Sequence, residues 1–132
     1  MIKKFDDYGI DFRIEEESDK ITISMYDNDK KIGYSIIKRI DGIFKNWNIN
    51  SYDFIENPIE TNKPILYIFG ISIINKKLGW GEKMIRFIEE FAKENGFEYI
   101  ALSSTTEAFG FWRKMGYKIY SSDEFIKMYK KI

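Results

Sequence analysis

Cysteine and histidine are both missing from this 132-residue chain. Without cysteine there is no disulfide, no thiolate nucleophile and no thiolate metal ligand, and the absence accords with a reducing compartment. Without histidine as well, Ser-His and Cys-His catalysis and the usual zinc ligand sets are excluded. Any chemistry then falls to carboxylates, tyrosines, backbone dipoles or a bound cofactor. An excess of one charge is also lacking: 21 Lys and Arg balance 21 Asp and Glu, whereas a duplex nucleic-acid binder normally carries a basic excess. No apolar run reaches the roughly 18 to 20 residues of a membrane span, and the first residues, Met1-Ile2-Lys3-Lys4-Phe5-Asp6-Asp7, hold no apolar signal core. The expectation is a cytoplasmic protein without nucleic-acid, membrane or metal partners, folded as one domain over residues 1–132. A chain of this length buries roughly two thirds of the surface its unfolded form exposes, enough to fold without covalent staples.

The first half reads as strands. Ile10 to Glu16 alternates apolar and polar residues, Lys20 to Tyr26 does so through Ile21, Ile23 and Met25, and Asp27-Asn28-Asp29 is a turn cluster. Lys31 to Ile40 resumes in β-branched and aromatic residues, which predicts a meander of three antiparallel strands. Phe44 to Lys63 then loses its period; it holds Trp47, Tyr52, Asp53, Glu56 and Glu60. Loops of about 20 residues inside compact domains are often functional.

The second half changes period. Ile65 to Ile74 is apolar on both faces, as expected of a central strand covered by helices. Trp80, Met84, Ile85, Phe87, Ile88, Phe91 and Ala92 recur at helical spacing, and Asn95-Gly96 stops that helix. Phe97 to Leu102 is a short buried strand, Thr105 or Thr106 caps a helix through about Met115, and Gly116 ends it. Tyr117 to Tyr120 and Phe125 to Tyr129 flank Ser121-Ser122-Asp123 as a closing hairpin. Between the central strand and the long helix lies Lys76-Lys77-Leu78-Gly79-Trp80-Gly81. A basic, glycine-punctuated turn there aims several N–H groups and the positive helix end at one spot, which suits a phosphate or pyrophosphate.

This order, with Lys76, Gly79 and Gly81 at the places of a Gln/Arg-x-x-Gly-x-Gly/Ala signature and with Ala108, Phe111-Trp112 and Gly116-Tyr117 further on, resembles the GCN5-related N-acetyltransferases. The resemblance implies an α+β fold of three-layer α/β type: a mixed, mostly antiparallel central sheet, splayed between its fourth and fifth strands and flanked by helices. The two helices that members place between their first and second strands are missing, because Glu17-Ser18-Asp19 leaves no room for them. It further implies transfer of an acetyl group from acetyl-CoA to an amine by direct attack, without a metal. The coenzyme pyrophosphate would be held by Lys76, Lys77, Leu78, Gly79, Trp80, Gly81, Glu82 and Lys83, and its pantetheine arm by the backbone of Ile71 and Ile73. Gly70 marks either a bulge or a packing glycine. Thr105 and Trp112 complete the cofactor contacts; Thr105 stands where many members have Asn.

For catalysis the resemblance offers the Ile71 N–H as oxyanion donor, with Glu60 and Tyr67 as base candidates beside Glu56 and Asp53. Trp112 replaces a common tyrosine acid and Ile65 stands where the histone-acetylating branch has its glutamate base. An indole donates a hydrogen bond but is not a usable acid, and losing the acid costs about 10- to 100-fold in rate. The acceptor, a small-molecule or protein amine, would meet the Phe44 to Lys63 loop. A homodimer is compatible with the sequence. The alternative is a catalytically silent acyl-CoA-binding or protein-interaction module of the same fold, and a phosphate- or nucleic-acid-binding module is a third reading.

Overall fold

Ile10, Phe12 and Ile14 alternate with Asp11, Arg13 and Glu15, so one face of the strand they form is apolar and must be covered; all three are buried. In the computed structural model, which describes residues 2–4, 10–40, 64–74, 79–121 and 126–132, the strands are β1 (Ile2–Lys4), β2 (Ile10–Glu16), β3 (Ile21–Asp27), β4 (Lys30–Ile40), β5 (Ile65–Ile73), β6 (Tyr99–Ser104), β7 (Lys118–Ser121) and β8 (Ile126–Lys131). Helix α1 spans Trp80–Glu94 and α2 spans Phe109–Lys114. The chain divides into two compact units, Met1–Lys38 with Ile68–Ile88, and Arg39–Tyr67 with Glu89–Ile132.

In the first unit the strand order is β1-β2-β3-β4-β5. The expected meander is present: β2, β3 and β4 pair antiparallel in sequence order. A strand that periodicity did not reveal, β1, precedes it and pairs antiparallel with β2. Three residues are too few to show an alternation. The link from β2 to β3 is a tight turn in which the Glu17 N–H donates to the Lys20 carbonyl at 2.9 Å, so no helix intervenes there. The next turn puts Asn28 (φ 48°) and Asp29 (φ 67°) in the left-handed region, the conformation that Asn and Asp tolerate best after glycine and that suits a two-residue hairpin. The first half of α1 buries Met84, Ile85, Phe87 and Ile88. Phe87 stacks on Phe12 of β2 with ring centres 4.1 Å apart and planes 3° from parallel, a contact worth about 1 kcal/mol beyond its buried area.

In the second unit the order is β5-β6-β8-β7. Ile65 packs with Ala101 and the Tyr67 hydroxyl reaches Ser103 at 2.9 Å; the partners advance together, so β5 and β6 run parallel in an otherwise antiparallel sheet. Both helices end on a glycine with positive φ, Gly96 (82°) and Gly116 (93°). Phe97 and Gly96 donate to the Ala92 and Lys93 carbonyls, and Tyr117 and Gly116 to those of Trp112 and Arg113. Each is the paired-bond Schellman stop, which satisfies carbonyls the helix leaves open.

Two expectations are corrected. Helix α2 starts at Phe109, not at Thr105 or Thr106, and its N-cap Ala108 makes no side-chain cap bond; Thr105 Oγ1 instead accepts the Ala108 N–H at 3.1 Å, closing a turn ahead of the helix. The central strand is covered only in part. Ile65, Leu66 and Ile68 are buried, but Phe69 is 63% exposed and Ile74, just past the strand, 61%; hydrophobicity on both faces did not distinguish a covered half from a bare one.

Candidate functional site

The bare half of β5 belongs to the first unit, and its local geometry departs from a regular strand. Lys38 Nζ lies 4.5 Å from the centre of the Phe69 ring, which puts those two side chains on one face. A Cβ added at Gly33 would stand 2.5 Å from Ile73 Cδ1, which puts Gly33 and Ile73 on a common face. Strand β4 pairs residue for residue with β3 from Gly33 to Ile37, so positions 33 and 38 point opposite ways. Positions 69 and 73 should then point the same way, yet they do not. The mismatch requires one extra residue in β5, a bulge around Gly70, Ile71 and Ser72. The Gly70 carbonyl accepts a hydrogen bond from Ser35 Oγ at 2.8 Å. A Cβ at Gly70 would meet nothing within 4 Å, so of the two readings of this glycine the bulge is the one that fits.

Beyond Ile73 the strand is held from one side. The Ile74 N–H donates to the Ile32 carbonyl at 3.0 Å, and a Cβ at Gly33 would lie 2.7 Å from the Ser72 carbonyl oxygen. Gly33 is therefore a close-approach glycine that lets the end of β5 lie against β4. The sequence offered a signal for it, a glycine inside a strand pattern.

Lys76, Lys77 and Leu78 lie outside the described residues. Description resumes at Gly79, whose φ of 73° is left-handed and whose missing Cβ would meet nothing within 4 Å. Its carbonyl accepts the Lys83 N–H at 3.3 Å, which makes Gly79 the cap of α1 and directs the N–H groups of Trp80 and Gly81 outward along the helix start. A side chain at residue 79 would occupy that open space, so the cradle fits a phosphate group approaching the backbone. Glu82 is the acidic residue of this first turn, but its carboxylate is tied to Arg86 at 2.7 Å, which offsets its repulsion of an anion.

The remaining predicted residues belong to the second unit. Tyr67 is half-buried beside Ile65, Ala101 and Tyr120, its hydroxyl paired with Ser103. Thr105 is exposed and holds its turn. Trp112 is only 4% exposed, packed edge-on to Phe111 and Tyr117 with both centroid distances 5.1 Å. It sits as a core aromatic. Glu60, Glu56, Asp53, Trp47 and Tyr52 lie outside the described residues.

A polar cluster that sequence reasoning missed also sits in this unit. Tyr117, 1% exposed, donates its hydroxyl to Glu89 Oε2 at 3.0 Å, Lys130 Nζ reaches both Glu89 oxygens at 3.2 and 3.0 Å, and the same ammonium donates to the Met115 carbonyl at 2.9 Å. Burial, then the Glu89 charge and hydrogen bond, push the Tyr117 hydroxyl far above the ordinary tyrosine range. The cluster spans 41 residues of sequence, from Glu89 to Lys130, and carries no shared motif.

The chain belongs to the acetyltransferase (GNAT) family, whose model matches residues 2–117. Among solved structures it is similar to the PaiA N-acetyltransferase of Thermoplasma acidophilum in complex with coenzyme A (17% identity, TM-score 0.62, 86% of this chain and 62% of that one). It is also similar to the Bacillus subtilis N-acetyltransferase YlbP in complex with coenzyme A (16%, 0.60, 84% and 67%) and to Tetrahymena GCN5 (12%, 0.63, 88% and 70%). The chain thus spans less than two thirds of the length of the PaiA enzyme. No curated protein sequence matches it significantly.

Proposed function

We infer that this protein is an N-acetyltransferase that binds acetyl-CoA at the bulge of β5 and the start of α1, both in the first unit. The observation that carries the reading is Gly79: a left-handed glycine with open space over its missing side chain, capping the helix that follows the partly exposed end of β5 in sequence. Two of the structurally similar N-acetyltransferases are in complex with coenzyme A, which supports the choice of ligand.

Acetyl-CoA supplies the thioester that an amine attacks directly. The chain's own residues bind and polarise it. The N–H groups of Gly79, Trp80 and Gly81, with Leu78, Glu82 and the lysines 76, 77 and 83, hold the pyrophosphate by hydrogen bonds and charge. The backbone of Ile71 and Ile73 pairs with the pantetheine arm as an added strand would. A bulge takes a residue out of regular pairing, and the Ile71 N–H lies within it; as an oxyanion donor it would contribute about 3 kcal/mol to the rate. Tyr67 and Glu60 are the candidate bases. Trp112, packed into an aromatic cluster, supplies no acid, so the thiolate leaves unassisted, which its pKa near 8.5 permits.

Calorimetric titration with acetyl-CoA tests the binding half of this reading, and Gly81→Val tests the site. The branched side chain at the second helical position should abolish affinity while leaving the circular dichroism spectrum unchanged; retained affinity overturns the assignment. Mass spectrometry of amine mixtures then tests turnover. The core placement of Trp112 favours one other reading, a silent acyl-CoA binder, and binding without acetylated product would select it.

A further inference from the structure

We propose that Lys38 and Phe69 set the class of acceptor: an amine that also carries a carboxylate beside an apolar body, as an amino acid does, rather than a polycation. The inference rests on the reading of the β5 bulge as the place of the thioester. Faces decide the approach. Phe12, which stacks on Phe87 of α1, stands opposite Met25, and Met25 opposite Gly33. Positions 33, 35 and 37 of β4 therefore look toward α1, and Lys38 looks away from it. Phe69 shares the side of Lys38, whose ammonium lies 4.5 Å from its ring centre, while Ile73 shares the side of Gly33. The α1 side is filled by the buried Met84, Ile85, Phe87 and Ile88. An amine attacking a thioester held at Ile71 is left the other face, where Phe69 stands two residues, about 7 Å, before Ile71.

The pair combines an apolar surface with a cation that lacks its counter-charge. Phe69 is 63% exposed. Lys38 is half-buried, and its ammonium has the Phe69 ring but no carboxylate among the described residues. Two other ring-bound cations differ: Arg13, over the Tyr26 ring at 3.8 Å, also has Asp29, and Lys130, near Tyr117, also has Glu89. Strands β4 and β5 contain no Asp or Glu. Glu17 lies 4.0 Å from Lys20, the residue before Ile21, which stands opposite Ile37. Asp11 and Glu15 look the same way as Lys38, but from β2, two strands and so about 10 Å or more across the sheet. A carboxylate arriving with the acceptor would complete the partners of Lys38, in a partly desolvated place that strengthens a charge-assisted bond. A polyamine would meet like charge, at a ring that already holds an ammonium. The transfer balances as before: the neutral amine nitrogen bonds the acetyl carbon, the carbon–sulfur bond breaks with its electron pair on sulfur, and the surplus amine proton passes to water.

The test loads the whole chain with coenzyme A and titrates a matched pair of products, N-acetylphenylalanine and N-phenethylacetamide, followed by amide chemical shifts. Products bind without turnover, so the readout does not depend on catalysis. The carboxylate member should bind at least tenfold tighter, with shifts centred on 36–38 and 69–71. Lys38→Gln should bring the two within twofold of each other, and Lys38→Arg should keep most of the preference. Phe69→Ala should weaken both members by a similar factor. Lys31→Gln removes another cation of the same face, near the Tyr34 ring but seven residues, about 23 Å, along β4; it should leave the preference within twofold of the wild type. Coenzyme A that fails to bind in calorimetry overturns the site and this inference with it. Normal coenzyme binding overturns the acceptor class alone when it comes with no binding of either product, equal affinities, tighter binding of N-acetylspermidine, shifts centred elsewhere, or a preference that survives Lys38→Gln.

Discussion

Single atoms decide the candidate site. At Gly33 a methyl group would meet the Ser72 carbonyl at 2.7 Å and Ile73 Cδ1 at 2.5 Å; a carbonyl cannot step aside as a side-chain end can. Gly33→Ala should therefore push the end of β5 away from β4, lowering stability by about 1–3 kcal/mol and weakening acetyl-CoA through the displaced Ile73, read by denaturant melts and calorimetry on the same samples. Tyr117 carries the clearest pH signature. Its hydroxyl ionises far less readily in the fold than at the ordinary value of 10.0, so the folded state holds the proton more tightly than the unfolded one. That contribution is complete below pH 10 and is lost as pH rises beyond it. Tyr117→Phe should lose about 1 kcal/mol at neutral pH and show a shallower fall in stability above pH 10 than the wild type, in urea melts across pH 8 to 11.

Elements stop and start where their glycines allow, and the sign of a glycine substitution follows its backbone. Gly96 and Gly116 occupy left-handed positions; Gly110 lies inside α2 with open space around its missing Cβ. Gly96→Ala should destabilise by about 1 kcal/mol because alanine resists that φ, whereas Gly110→Ala should stabilise by about 0.5–1 kcal/mol through helix propensity. Thermal melts of the two variants should move in opposite directions. These stops were legible in the sequence, as were the alternating strands β2 to β4 and the stripe of α1, because periodicity and glycine act locally. The true start of α2 was not, since Thr105 uses its hydroxyl on a turn that only the surrounding path of the chain specifies. The bulge in β5 was visible as a glycine with two readings; choosing between them took the faces of Phe69 and Ile73 relative to β4, information that no single strand contains.

At the scale of the whole molecule, the family was legible because its glycine turn and its aromatic pair come at fixed spacing within a fixed order of elements, and the family model matches residues 2–117. The glycine-capped start of α1 could be read in the same way, from Gly79 and Gly81. The Glu89, Tyr117 and Lys130 cluster could not, because three elements distant in sequence must pack before those groups meet.

Helix α1 opens on Trp80, half-buried and one residue past the glycine cap, whereas Trp112 is sealed in its aromatic cluster. The protein thus carries its own optical probe at the mouth of the cradle. Adding coenzyme A should change indole emission in a Trp47→Phe background; Trp80→Phe added to that background should silence the response while calorimetry still registers the heat of association. Occupancy could then be followed by light on the millisecond scale, with no label attached.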